Sequence, residues 1–316
     1  ASTSAAGGVA IGSQSDATGA QSTAIGEAAA ASGASSIALG TSNALSANAL
    51  AAGSLATANG IGAISWGDSS DAVGGGALAI GTSAQANGVS ATAVGPTAAA
   101  SNTNAVAVGT SANAAGVNSI AISNAFAAST RSIAIGIPTT ASGDGSLAIG
   151  SGTNSSYAAY AGGVGAIGIG NQGAGGATTG IGAHASGAGA TAVGMGAAAT
   201  GVASTAYGYG AVSTTGAVAV AQATASGADS VSIGTGSDAT QSDAVAIGSG
   251  AQSVHSSATA IGSAVVSQQN FSFNAFPFRA HRLSFTTTTA TTTSNTLYTL
   301  TSNGHTAAGD VVVTCY

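Results

Sequence analysis

A short phrase recurs along this chain with a fixed period. Ser119-Ile120-Ala121-Ile122 returns as Ser132-Ile133-Ala134-Ile135, and earlier as Ser36-Ile37-Ala38-Leu39-Gly40. With the last residue of each phrase as marker, the series runs Gly12, Gly26, Gly40, Gly53, Gly67, Gly81, Gly95, Gly109, Ser123, Gly136 and Gly150. It resumes at Gly194 and continues through Gly208, Ala221, Gly234, Gly248 and Gly262. The step is 14 residues, occasionally 13, over about nineteen turns. Such a period is too short for a strand plus a helix. It accommodates two strands of about five residues and two tight turns, so each repeat is expected to form one coil of a parallel β-solenoid. With strands about 4.8 Å apart, nineteen coils would stack into a rod on the order of 90 Å long.

The two strands of a coil differ. Ahead of each marker lies an apolar residue (Ile25, Leu39, Ile80, Ile135), then Ala, then another apolar residue or Thr. Neighbouring strand residues point to opposite faces, so apolar residues on both sides mean that neither face is meant for water. The second strand alternates small with polar residues, as in Ala84-Gln85-Ala86 and Ser237-Asp238-Ala239, and is expected to be wet on one side. A thin roll has one interior and can shelter only one face of the first strand. The other face is therefore expected to lie against copies of the same chain along a seam that includes Ile25, Leu39, Trp66, Ile80, Ile135 and Tyr207. Trp66 and Tyr207 stand where other coils carry Ile, which implies that this seam has room for rings.

Asn118-Ser119-Ile120-Ala121-Ile122 and Asn104-Ala105-Val106-Ala107-Val108-Gly109 resemble the head repeats of trimeric autotransporter adhesins. The resemblance covers residues 1–263, apart from an irregular stretch at 151–182. It implies an all-β, left-handed parallel β-roll of 13–14-residue coils, three chains per rod, and attachment to matrix proteins or other cells. Handedness and the number three come from the likeness. The quoted chain shows neither a heptad stalk nor a barrel anchor, and the same roll would serve a bacteriophage tail fibre or another virion appendage. Both versions place the protein outside the cell, on a cell surface or on a virion.

Composition narrows the other classes. Three Lys+Arg against nine Asp+Glu, a net charge of −6, leave no basic stripe for nucleic acid. The apolar content is largely Ala, and no run of about 18 bulky apolar residues is long enough to span a bilayer. One cysteine, Cys315, excludes an internal disulfide framework. Asp16, Asp68, Asp71, Asp144, Asp229, Asp238 and Asp243 lack the spacing of calcium-binding rolls, and His184, His255, His281 and His305 share no ligand spacing. Gly163-Val164-Gly165-Ala166-Ile167-Gly168 matches a dinucleotide-binding glycine pattern, but Gly and Ala follow where a helix should start, and no acid occurs before Asp229. No acid pair or nucleophile and base stand together, so no catalytic residue, cofactor or metal is assigned and the chain is read as non-enzymatic. An ice-binding roll would need a ladder of Thr on its wet strand. Asp16, Gln85, Asn113, Asp238 and Gln252 hold those places instead. A passive spacer is the remaining alternative.

Two regions break the repeat. The interval from Gly150 to Gly170 is 20 residues, so about six must leave the coil as a loop. Tyr157 and Tyr160 fall in that excess beside Asn154. These three are the candidate contacts for a surface receptor, protein or glycan, because rings offer area for little entropy. From residue 264 to 316 the composition shifts to Phe, Arg and Thr, with five of the six Phe, and a small β-rich cap or knob is expected.

Overall fold

The computed structural model describes residues 1–154, 158–171, 182–267 and 269–275. All belong to the compact unit Ala1–Pro277. The C-terminal module and Tyr157 lie outside the described residues, apart from the stretch up to 275. That stretch extends the repeat: Phe273–Ala275 pairs in parallel with Thr259–Ile261, so the coils run past the expected boundary at 263.

Each coil is a three-residue strand, a turn, a two-residue strand and a second turn, as in Thr23–Ile25 followed by Ala30–Ala31. Among the described residues, nineteen three-residue strands form one ladder and eighteen two-residue strands form the other, every pairing parallel between consecutive coils. The register follows the sequence period: Leu78, Ala79 and Ile80 pair with Thr92, Ala93 and Val94. No helix occurs among the described residues. The chain is an all-β parallel solenoid.

The strands are shorter than the five residues expected, and the turns are the cause. A coil such as 26–39 places Gly26, Ala28 and Ser35 at positive φ (135°, 53° and 57°), and each of these breaks the extended run. Two sharp reversals within 14 residues leave only five residues extended.

The interior between the ladders is almost entirely alanine. Ala24, Ala31, Ala38, Ala44, Ala51 and Ala58 have no exposed surface, and the largest fully buried side chains are Thr139 and a set of serines. The two ladders therefore approach too closely for Leu or Ile between them. Several buried serines close their corners by bonding three residues back, whereas the Oγ atoms of Ser22, Ser36 and Ser146 are buried without a partner. Ser119 Oγ donates to the Gly116 carbonyl at 2.7 Å and Ser237 Oγ to the Gly234 carbonyl at 2.8 Å. Where Ser replaces Ala in the middle of a three-residue strand, it pairs with such a corner: Ser65 Oγ lies 2.7 Å from Ser70 Oγ, and Ser232 Oγ 2.8 Å from Ser237 Oγ.

The marker glycines are required by close approach as well as by φ. A Cβ on Gly12 would sit 2.4 Å from the Gly26 carbonyl oxygen of the next coil. Ser123 and Ala221 are exceptions with a geometric reason. The turns after them are one residue shorter, with Phe126 pairing to Asn113 at a step of 13, and φ falls to 73° and 62°, within reach of side-chain-bearing residues.

Candidate functional site

The coil presents two outward faces. Of each three-residue strand, the middle residue points inward and the flanking two point out. The outward positions make two parallel ranks, one through Ile37, Leu50, Ile64 and Leu78, the other through Ile25, Leu39, Trp66 and Ile80. Trp66 and Tyr207 are 59 % and 58 % exposed, Ile25 and Ile80 are exposed, and Leu39 and Ile135 are half-buried. The six residues assigned to a seam thus share one rank on one face, in register. At about 4.8 Å per strand and roughly 10 Å across a three-residue strand, the stripe covers on the order of 900 Å². Single-chain proteins rarely expose an apolar patch above about 600 Å², whereas a specific interface buries about 800 Å² per partner.

One coil interrupts the second rank. Ala52 stands between Leu39 and Trp66, paired to both, and lies at the floor of an open surface depression of about 580 Å³ that Leu39, Trp66, Gly40, Thr41, Gly53 and Ser54 also line.

The opposite face carries the outward residue of each two-residue strand. Asp16, Asn43, Thr57, Asp71, Gln85 and Asn113 occupy its first half, each beside a fully buried Ala. Partial burial without a compensating cation raises the pKa of Asp71 and Asp238 above the ordinary 3.8. Asp238 Oδ1 is buried without a hydrogen-bond partner. Threonines occur singly in this rank, at Thr57, Thr140 and Thr224, with no continuous ladder.

The stretch 151–182 is two regular coils, each with an insertion. Tyr160–Ala161 pairs with Thr140–Ala141 at a step of 20, and His184–Ala185 pairs with Tyr160–Ala161 at a step of 24. Between them Ile167–Ile169 keeps its place in the first ladder against Leu147–Ile149 and Thr191–Val193. Both insertions fall at the same corner, between the three-residue and the two-residue strand, on successive coils. Their bases touch through the Ser151 amide, which donates to Asn171 Oδ1 at 2.8 Å.

Tyr160 is therefore in a strand and not in the loop expected from spacing. The glycine-rich match at 163–168 spans an ordinary turn and the start of a strand. Asn154 lies exposed in the first insertion. The residue missed in sequence is His184, whose ring stacks on Tyr160 with centroids 4.7 Å apart and planes 18° from parallel. Burial in this stack lowers its pKa below 6.5. Ser142 Oγ lies 3.2 Å from the Tyr160 hydroxyl. A signal was present: Tyr160-Ala161 and His184-Ala185 both precede a corner glycine, Gly163 and Gly187, as Asp16-Ala17 precedes Gly19. Among the described residues no group of three His, Cys, Asp or Glu gathers as a metal site would require.

A rod of parallel coils, with one apolar flank along its length and an opposite flank of mixed polar and small residues broken by Phe126, Tyr160 and Val212, defines a fibre-forming β-solenoid. The YadA head domain repeat model matches residues 17–43, 72–98, 100–122, 127–153, 179–211, 221–237 and 225–251, together more than half of the chain. The chain belongs to the YadA head domain repeat family. No curated protein matches it. Heads of this family are surface-exposed parts of extracellular adhesin fibres.

Proposed function

We propose that three copies of this chain pack side by side along their apolar stripes to form a non-enzymatic adhesive fibre, which attaches its bearer to a surface through the polar face and the paired insertions. The observation that carries the reading is the apolar rank of outward Ile, Val and Leu, with Trp66 and Tyr207, that runs from Ile11 to Ile261 along the first ladder and is interrupted only at Ala52, in a chain of this family. Burying each such side chain contributes roughly 1.5 to 3 kcal/mol, so nineteen coils supply far more than association costs. Rotational closure covers every stripe, and the family's general trimeric state supports three as the number of copies.

Contact with a receptor is assigned to the corner that bears the insertions, with Asn154, Tyr157 and Tyr160 as contact residues. Loops on a rigid scaffold and partly exposed rings are where recognition concentrates. Beads coated with the full chain should adhere to immobilised matrix proteins or to a glycan array, and removal of residues 152–157 together with 172–181 should abolish adhesion. Undiminished adhesion by the excised chain would place recognition elsewhere.

A further inference from the structure

We propose that Trp66 of one copy seats in the notch above Ala52 of the neighbouring copy, and that this large-next-to-small pair sets the axial register of the assembled rod. The inference rests on the reading of the rod as an assembly of copies and adds which coil faces which.

Along the rank that holds Ile11, Ile25, Leu39 and Ile80, Ala52 is the one small residue from Ile11 to Ile261, and the next coil carries Trp66, the largest. The two are hydrogen-bonded neighbours in the ladder, Trp66 pairing with Ala52 on one side and with Ile80 on the other. The indole is 59 % exposed, so its own chain does not absorb it, and the depression it lines with Leu39 and Ala52 is open to the outside. Copies that stand parallel and level bring their tryptophans together at one height and their alanines one coil away. Volume in excess in one layer then meets volume missing in the next, which is the condition for native packing density. Sliding one copy by a single coil would bring one Trp66 level with one Ala52, but it would set the other Trp66 of the pair against Ile80 and leave the second notch facing Leu39, so only one of the two notches is filled and the other ring is overpacked.

The occupant is a second copy of this chain, because anything that fills the notch must also cover the stripe on both sides of it. A parallel copy presents an apolar stripe of the same length with a ring displaced by one coil.

Trp66 is the sole tryptophan, so indole emission from the full chain reports on this site alone. Emission and acrylamide quenching are measured on the sample whose mass is determined by light scattering. The expected result is an assembly whose indole emits to the blue of N-acetyltryptophanamide and is quenched several-fold less. Ala52→Leu, which gives this coil the residue found at Leu39, should retain the assembly while shifting emission to the red and raising quenching several-fold. An assembly of unchanged mass with a freely quenched indole overturns the register proposal and leaves the assembly reading standing, as does an Ala52→Leu assembly with unaltered emission. A monomer overturns both. A freely quenched wild-type indole in the assembly overturns the proposal even where the variant does not assemble.

Discussion

Gly248 and Ala221 close the same strand in different coils, and only one of them can carry a methyl group. At Gly248 φ is 127°, and a Cβ would lie 2.5 Å from the Gly262 carbonyl oxygen; at Ala221 φ is 62°. Gly248→Ala is therefore expected to destabilise the roll by about 1 to 3 kcal/mol, and Ala221→Gly by well under 1, as read from thermal unfolding. Protonation offers a second test. Asp238 has a raised pKa in the folded chain because burial disfavours its charge. Its contribution is fully favourable below the unfolded value near 3.8 and is lost as pH rises through the folded pKa. Asp238→Asn should accordingly raise the melting temperature at pH 7, with the gain vanishing below about pH 4. His184 has the opposite sign. Its pKa is lowered, so the fold favours the neutral ring and loses stability as pH falls below about 6.5. His184→Phe, which keeps a ring against Tyr160, should remove that loss; an unchanged acid profile would contradict the assignment. The inward alanines and outward isoleucines were legible in sequence because period-two alternation sorts them. The Tyr160–His184 stack was not, because two insertions hid the step between the rings.

The coil itself was legible from its period, but strand length was not. Periodicity counts residues per turn of the solenoid and says nothing about how many are spent on reversals. Here three positive-φ positions per coil, such as Gly26, Ala28 and Ser35, reduce the strands to three and two residues. The excess around 151–182 was legible as excess only. Its division became clear once Ile167–Ile169 was found in register with both neighbours. That division makes a sharp prediction at this scale. Removing 152–157 joins Gly150-Ser151 to Ala158-Ala159-Tyr160, and removing 172–181 joins Gly170-Asn171 to Gly182-Ala183-His184. Both junctions reproduce the spacing of Gly26-Glu27-Ala28-Ala29-Ala30, the second with Gly at the left-handed turn position. The doubly excised chain should fold with the same circular dichroism and a melting temperature equal to or above that of the full chain. A melting temperature lower by more than about 5 °C, which for a chain this size means about 3 kcal/mol, would show that the insertions support the roll.

Over the whole molecule, stability and assembly rest on different residues. The alanine interior buries little area per coil, so the roll gains from repetition, each coil held by its two neighbours through in-register ladders. The larger apolar side chains are turned outward, where only another surface can remove them from water. This arrangement was legible in sequence as a strand apolar on both faces, since a roll has one inside. The number of copies was not, because the spacing of one chain does not contain a rotation axis. The decisive measurement is the mass of the full chain in solution, by sedimentation equilibrium over a hundredfold range of concentration. A species of three times the 28.7 kDa chain mass, persisting to the lowest concentration, is the predicted result. A folded, stable species of 28.7 kDa, with the outward isoleucines still in water, would contradict the account.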